Sequence, residues 1–296
     1  MRFKRITVIG AGLIGGSFAL AARRAGLAEQ ITAWDSAAVL DAALSRGVVD
    51  AVEDSFQAGR TCEADLIYLS APVGAILQFL ETNGKLVGPG SVVTDAGSTK
   101  REICAAAARC LPAGVQFVGG HPMAGSHLHG LDNARHDLFQ GAPYGIVAGA
   151  ASRGAVSTVT DTVRAMGAIP IGVTAEDHDR AVAAVSHVPQ LLSTALALTV
   201  LESPAGPGSL DFASTGFADM VRLAASRWSM WGDICRTNGD NIAPLLSQLA
   251  RRIESFGQDL GSGRLGELEQ QFGNASEVSA GFLNRASGPG TSEFKP

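Results

Sequence analysis

Cysteine is scarce in this chain of 296 residues, and the four cysteines form no recognisable pattern. No two of them make a Cys-x-x-Cys pair, and no histidines accompany them at the spacing of zinc ligands; they are Cys62, Cys104, Cys110 and Cys235. The histidines are not spaced as a helical metal-binding pair either. These absences argue against a metal centre and favour a reduced, cytosolic protein.

The chain also lacks a basic excess and a long uninterrupted apolar run. Its formal net charge is -5 and its pI is near 5.7, whereas a surface that binds nucleic acid normally carries an excess of lysine and arginine. The apolar run at residues 6–9 is too short for the core of a signal peptide, and residues 191–201 are too few to span a bilayer. We therefore expect no nucleic-acid partner and no membrane partner, and we interpret residues 191–201 as a buried helix.

Short apolar segments alternate with alanine-rich helical patterns through the first half of the chain. This alternation is typical of buried strands joined by crossover helices, and it indicates a mostly parallel, doubly wound sheet. We therefore expect an α/β domain over residues 1–172. Its predicted strands lie at residues 6–9, 31–34, 66–69, 92–94, 117–118, 144–147 and 169–173.

The pattern changes after the last predicted strand, where helical periodicity replaces short apolar runs. Thr174 and Asp177 have the spacing of a capping box at the start of a long helix, in which Pro189 should cause a kink. The sequence therefore predicts an all-helical second domain over residues 173–285. Residues 286–296 are expected to form a frayed tail.

A glycine-rich turn follows the first predicted strand and opens the first helix. It reads Gly10-Ala11-Gly12-Leu13-Ile14-Gly15, a G-x-G-x-x-G fingerprint that brings the backbone close to a pyrophosphate at a helix N-terminus. Asp35 ends the second strand, where an acid accepts hydrogen bonds from ribose hydroxyls and repels a 2′-phosphate. The combination predicts a Rossmann-type domain that binds NAD in preference to NADP. Asp35 could also cap the helix that begins at Ala37, and the two roles are compatible.

Three later strands end in segments that we expect at the same edge of the sheet as the dinucleotide. Ser70 and Pro72 follow one strand, and they either contact the cofactor or simply form a strand-ending turn. Ser98 follows the next strand within the segment DAGSTK. His121 begins the segment HPMAGS, and the glycines around it permit close approach of a ligand. His121 is therefore a candidate base.

Five segments, GAGLIGGS, DAGSTK, GGHPMAGS, HDRAVAAVSHVP and GFADMVRLA, together resemble the prephenate dehydrogenases over roughly residues 5–257. These enzymes oxidise and decarboxylate prephenate with NAD on the route to tyrosine. The resemblance implies a dinucleotide-binding domain followed by a helical domain that forms a homodimer. That architecture agrees with the change of pattern after the last predicted strand.

The resemblance also implies roles for individual residues. It makes His121 the base for the ring hydroxyl, Ser98 a hydroxyl partner near the nicotinamide, and Arg222 the ligand of a substrate carboxylate. A helix-packing role for His187 and a surface ion pair between Arg222 and Asp219 are the alternatives. The other residues expected at the substrate, with Asp219 contributed by the partner subunit, are His187, Gln190, Ser126 and Asp219.

Gln190 departs from the family pattern, because many prephenate-using relatives carry a second histidine at this position. Its amide can donate to a keto oxygen or accept from an ammonium group, so we expect prephenate to be used with weak discrimination against arogenate. An arogenate or dual-specificity cyclohexadienyl dehydrogenase is therefore an alternative function. Two others are a different two-domain hydroxyacid dehydrogenase and a non-catalytic NAD-sensing protein that retains the fold.

Overall fold

One sheet organises the first half of the protein; the computed structural model describes residues 2–53, 64–125 and 129–287. The strands are β1 (Phe3–Ile9), β2 (Ala28–Trp34), β3 (Ala51–Val52), β4 (Leu66–Leu69), β5 (Val92–Asp95), β6 (Gln116–Pro122), β7 (Pro143–Val147) and β8 (Ile169–Gly172). Their order across the sheet is β3-β2-β1-β4-β5-β6-β7-β8. Every neighbouring pair is parallel except β6 and β7.

Helices cover both faces of this sheet, which is why the central strand β4 is buried throughout. All four residues of β4 are buried: Leu66 and Tyr68 belong to one hydrophobic cluster, and Ile67 and Leu69 belong to the other. The α/β doubly wound prediction is therefore confirmed. The helices that pack on the sheet are α1 (Leu13–Arg24), α2 (Ala37–Ser45), α3 (Val73–Asn83), α4 (Arg101–Cys110) and α5 (Arg153–Ala165).

Two details of the sheet differ from the sequence prediction. The strand β3 was not predicted, because it has only two residues and forms by pairing with β2. The strand β6 runs past its predicted end through Gly119 and Gly120, which pair with β7. Glycine disfavours a strand intrinsically, but here the antiparallel partner holds the backbone extended. His121 consequently lies within a strand and opposite Gly145.

The second half of the described chain is helical. Thr174 Oγ1 accepts a hydrogen bond from the backbone N–H of Asp177 at 3.0 Å, so the predicted cap is present. The expected kink takes the form of a π-helical turn, Ala183–His187, just before Pro189, which has no N–H to donate. The longer helices are α6 (Ala175–Val182), α7 (Val188–Glu202), α8 (Thr215–Val221), α9 (Trp228–Gly261) and α10 (Leu265–Ser287).

The prediction that residues 191–201 form a buried helix is wrong for the single chain. They lie in α7, but the buried residues of that helix are Gln190 and Ser193, whereas Leu198 and Leu201 are 51% and 55% exposed. By length and composition alone, the helical stretch Ala175–Glu202 could cross a membrane. Core helices of soluble proteins meet the same criteria, and the first turns of this stretch carry several charged residues.

The glycine turn between β1 and α1 serves two separate purposes. A Cβ added at Gly15 would lie 1.9 Å from the carbonyl oxygen of Gly10, so α1 can pack on β1 only with glycine at this position. A Cβ added at Gly12 would meet no atom within 4 Å, because this residue faces open space above the sheet. Gly15 is therefore needed for packing, whereas Gly12 leaves room for a ligand.

Alanine substitutions should separate these two purposes. We expect Gly15→Ala to lower the free energy of unfolding by about 1–3 kcal/mol through overpacking. Gly12→Ala should leave stability within about 0.5 kcal/mol of the wild type but strongly weaken NAD binding. Thermal unfolding and a fluorescence titration with NAD measure the two effects. Normal NAD affinity in Gly12→Ala would contradict this division of roles.

Candidate active site

Two adjoining clefts open at the carboxyl ends of the strands, where the strand order reverses between β1 and β4. The outer cleft has a volume of about 590 Å³ and is lined by Gly10, Gly12 and Asp35 together with residues of α3. The inner cleft has a volume of about 440 Å³ and is lined by Ser98 and His121 among others. A ligand as long as a dinucleotide can lie across both, because they share the lining residues Ser70, Ala71 and Pro72.

The outer cleft combines a carboxylate with the glycine turn. Asp35 accepts hydrogen bonds from the backbone N–H groups of Ala11 at 2.7 Å and Ser36 at 2.6 Å. The N-cap residue of α2 is Ser36, so Asp35 does not cap that helix. Ser70 Oγ donates to the carbonyl of Gly10 at 2.6 Å and thereby ties β4 to the turn. The cleft thus presents a negative charge beside an open helix N-terminus.

The inner cleft brings together the two residues that the sequence placed nearest the chemistry. Ser98 and His121 both line it, and the first turn of α1 adds Leu13 and Ile14. The segment at the start of α9 also lines the cleft and contributes Arg227, a residue that no sequence motif had marked. Within the described ranges the guanidinium of Arg227 has no ion-pair partner. Ser126 lies outside the described residues.

A buried ion pair fixes Ser98 relative to His121. Lys100 Nζ contacts Asp95 Oδ2 and donates to the carbonyl of Gly120 at 2.7 Å, and both charged side chains are fully buried. Asp95 Oδ1 accepts the N–H of Gly120 at 3.0 Å. The loop that follows β5 is therefore clamped to the end of β6. This clamp explains the polar ends of the segment DAGSTK.

A chain of hydrogen bonds runs from His121 into the helical domain. His121 Nδ1 lies 2.8 Å from His178 Nε2, and His178 Nδ1 lies 2.8 Å from Asp179 Oδ1. Asp179 also accepts the backbone N–H groups of Lys100 at 2.7 Å and Arg101 at 3.0 Å. A base, a second imidazole and a carboxylate thus stand in line behind the inner cleft.

Burial sets the protonation of these groups. Desolvation, with smaller electrostatic contributions from His178 and Lys100, holds the pKa of His121 well below its usual value. Burial alone would raise the pKa of Asp179, but hydrogen bonds from His178 and from the backbone of Arg101 and Lys100 bring it below the usual value. At neutral pH, His121 is therefore a neutral base, and Asp179 is an ionised acceptor.

Four residues that the sequence placed at the substrate do not line the inner cleft in the single chain. The Gln190 amide is buried, where its Nε2 donates to Leu223 O at 2.7 Å and its Oε1 accepts from Ser226 Oγ at 3.1 Å. Because both amide groups are occupied, Gln190 supports the segment before α9. The other three residues are His187, Arg222 and Asp219.

His187 has the packing role that was its alternative. It is 1% exposed, lies 3.1 Å from Asn238 Nδ2 and meets the ring of Trp231 edge-on. Desolvation lowers its pKa to about 4, so it stays neutral. Arg222 and Asp219 are exposed, and within the described part of the chain they form no ion pair with each other. Their side chains are therefore free to meet a second molecule.

Comparison with known proteins agrees with this geometry. The model for "Prephenate dehydrogenase, nucleotide-binding domain" matches residues 18–171, and the model for "Prephenate dehydrogenase, dimerization domain" matches residues 174–274. The prephenate dehydrogenase of Bacillus subtilis is 35% identical over 258 residues, which are 85% of this chain and 68% of that protein.

Solved structures extend the likeness to the whole fold. One such structure is that of prephenate dehydrogenase from A. aeolicus in complex with hydroxyphenyl propionate and NAD+. It superposes on this chain with a TM-score of 0.87 at 23% sequence identity, and the match covers 95% of this chain and 99% of that one. Synechocystis arogenate dehydrogenase gives a TM-score of 0.79 at 25% identity, over 94% of this chain and 99% of that one. On the two family matches and the Bacillus subtilis relative, the chain belongs to the prephenate dehydrogenase family.

Proposed function

We propose that the protein is a prephenate dehydrogenase that oxidises and decarboxylates prephenate to 4-hydroxyphenylpyruvate with NAD, in tyrosine biosynthesis. The observation that carries the proposal is a neutral, buried His121 that lines, together with Ser98, a cleft that continues into the glycine turn. The open space at Gly12 and the carboxylate of Asp35 fit a dinucleotide with a free ribose 2′-hydroxyl. NAD, when bound, accepts the hydride from the ring carbon.

The residues of the inner cleft handle the proton. His121 accepts the proton of the ring hydroxyl through Nε2, because Nδ1 already contacts His178. Ser98 shares the hydroxyl oxygen through a hydrogen bond and orients it. When the ring carboxylate leaves as carbon dioxide, its bonding electrons enter the ring, and the developing phenolate takes the proton back from His121. His121 therefore acts first as base and then as acid.

A guanidinium is needed for the carboxylates of the substrate, and we assign this task first to Arg227. It lines the inner cleft and lacks an ion-pair partner in the described ranges. Arg222 and Asp219 serve the cleft of a second subunit, since they lie exposed on their own chain. A fork-shaped cation suits a carboxylate because it can donate two parallel hydrogen bonds.

The helical domain supplies the surface for this second subunit. It exposes many large apolar side chains, among them Leu198, Leu201, Phe212, Phe272 and Phe282. Such a surface marks an interaction site, and the matching family model describes a dimerization domain. We propose that two copies associate through these helices in the cytoplasm, where the half-buried Cys104, Cys110 and Cys235 stay reduced.

Arogenate dehydrogenase is the second candidate, because the Synechocystis enzyme of that name shares the fold over 94% of this chain. The substrates differ only at the side chain, which is a keto acid in prephenate and an amino acid in arogenate. A permanent cation at Arg227 would repel the ammonium group, and we therefore rank prephenate first.

The direct test is NADH formation with prephenate and with arogenate, in parallel. We expect a higher kcat/KM with prephenate, and in His121→Asn a kcat lower by roughly 10² to 10⁴, as for a lost general base. Binding of NAD and substrate should change little. An unaltered kcat in His121→Asn would remove this residue from the mechanism, and activity on arogenate alone would replace the proposed substrate.

Cofactor choice tests the role of Asp35. The wild type should prefer NAD, and Asp35→Ser should shift the kcat/KM ratio towards NADP by on the order of 10- to 100-fold, because a like-charge contact costs several kcal/mol. Asp35→Asn is the matched control, since it keeps an acceptor for Ala11 N–H without the charge. Equal use of NADP by the wild type would contradict the assignment.

The two arginines can be distinguished by mixing subunits. Arg227→Gln should raise the KM for prephenate by about 10- to 100-fold through loss of a charged hydrogen bond.

If Arg222 acts across the interface, a refolded 1:1 mixture of Arg222→Gln and His121→Asn should recover about a quarter of wild-type activity, because hybrid dimers contain one intact site. Light scattering should give about twice 30.4 kDa. A mixture without recovered activity would place Arg222 in the cleft of its own subunit, whereas wild-type activity of Arg222→Gln by itself would place this residue outside the site.

A further inference from the structure

We infer that His178 and Asp179 form a proton relay behind His121, which fixes the tautomer of this histidine and takes up the positive charge when its Nε2 accepts the substrate proton. The inference deepens the proposed function and rests on it for its kinetic part. The three side chains come from two domains: His121 from β6, and His178 and Asp179 from α6. Both links in the chain measure 2.8 Å.

The direction of each hydrogen bond follows from the carboxylate. An ionised carboxylate only accepts, so His178 must carry a proton on Nδ1 to donate to Asp179 Oδ1. In neutral His178, Nε2 is then a bare acceptor that faces His121 Nδ1. His121 therefore carries its own proton on Nδ1. Its Nε2 is left as the free lone pair for the substrate hydroxyl.

The packing holds this arrangement in place. His178 is 4% exposed and lies over Gly145, the residue opposite His121 in the sheet. A Cβ on Gly145 would lie 3.2 Å from His178 Cδ2, so glycine leaves the ring its room. Asp179 is held in turn by the backbone of Lys100 and Arg101. The rings have little freedom to turn away from each other.

The charges around His121 explain why a relay is useful. Burial and the nearby ammonium group of Lys100 keep His121 neutral, which makes it ready to accept a proton but also makes the resulting imidazolium unfavourable. The only carboxylate of the relay is Asp179, since Asp95 is taken by Lys100, and the buried Tyr144 hydroxyl stays neutral because burial raises its pKa. The titratable groups that act on the relay from the surrounding elements are Lys100, Arg101 and His187.

Every proton that moves in the relay is accounted for without another reactant. As Nε2 of His121 takes the hydroxyl proton, its Nδ1 proton passes to His178 Nε2. The positive charge then lies on His178, in direct contact with the carboxylate of Asp179. After decarboxylation the phenolate recovers the Nε2 proton, and the Nδ1 proton returns from His178 to His121. Hydride and carbon dioxide leave as in the proposed reaction, so no net proton is released.

The first test reads the tautomer without any substrate. In 15N NMR spectra of the full-length protein, His121 should show a protonated Nδ1 and a bare Nε2. In His178→Phe it should revert to the Nε2-protonated form that neutral imidazole side chains favour in water. A protonated Nε2 on His121 in the wild type would overturn the relay, whatever the substrate of the enzyme proves to be.

The second test separates a relay from simple positioning. Glutamine at position 178 can accept the Nδ1 proton of His121 in a hydrogen bond, but it cannot take up a proton. We therefore expect both His178→Gln and His178→Phe to lower kcat by ~10²-fold, with the KM values for NAD and prephenate nearly unchanged. Wild-type kcat in His178→Gln would overturn the relay and leave His178 as a positioning residue.

The pH profile supplies a readout that misfolding would not move. Asp179→Asn removes the negative charge that supports the imidazolium, so the low-pH limb of kcat, where His121 becomes protonated, should shift to lower pH while the plateau falls. Asp240→Asn is the matched control, because it breaks the exposed ion pair with Arg101 and leaves the relay intact. Asp240→Asn should keep the wild-type kcat at the plateau and the wild-type position of the low-pH limb. A lower plateau with an unmoved limb in Asp179→Asn would contradict the relay.

Discussion

The buried carboxylate of Asp179 is the contact on which the active site depends. A carboxylate that is fully shielded from solvent is tolerated only when donors fill its lone pairs. The carboxylate of Asp179 accepts hydrogen bonds from the backbone N–H groups of Lys100 and Arg101, at the start of α4, and from the ring of His178. This one side chain therefore joins the two domains, holds the loop that carries Ser98, and orients the ring behind His121.

A second carboxylate at the domain boundary is stabilised in the same way, by the N–H group of a helix start. Asp233 of α9 accepts the N–H of Gly74 at the start of α3, as Asp179 does at the start of α4. Helix N-termini carry free N–H groups and a partial positive charge, so acids from the helical domain satisfy them. Leaving a buried charge without its partner costs about 3–5 kcal/mol. The polar boundary therefore favours one relative orientation of the domains, which is what a catalytic group shared between them requires.

The local features of the sequence predicted the sheet and the cofactor turn well, because a strand, a glycine turn and a helix cap are each set by a few consecutive residues. The relay could not be found in this way, since His121 and His178 are 57 positions apart and meet only through the packing of α6 against the sheet. Gln190 is the reverse case, a predicted substrate contact that the single chain does not show. The family resemblance implied a substrate contact, but the π-helical turn before Pro189 alters the helical phase, and the amide turns inward to Leu223 and Ser226.

The helical domain has only a small hydrophobic core of its own. Its hydrophobic cluster has only Ala183, Ile234 and Ile242 as fully buried members in the described part of the chain, whereas large apolar side chains cover its surface. A second copy that covers this surface would therefore stabilise α6 and α7 by mass action. Because α6 carries His178 and Asp179, association of two copies through this surface would also affect the positioning of His121. Loss of such a contact between copies would then loosen the histidine relay as well.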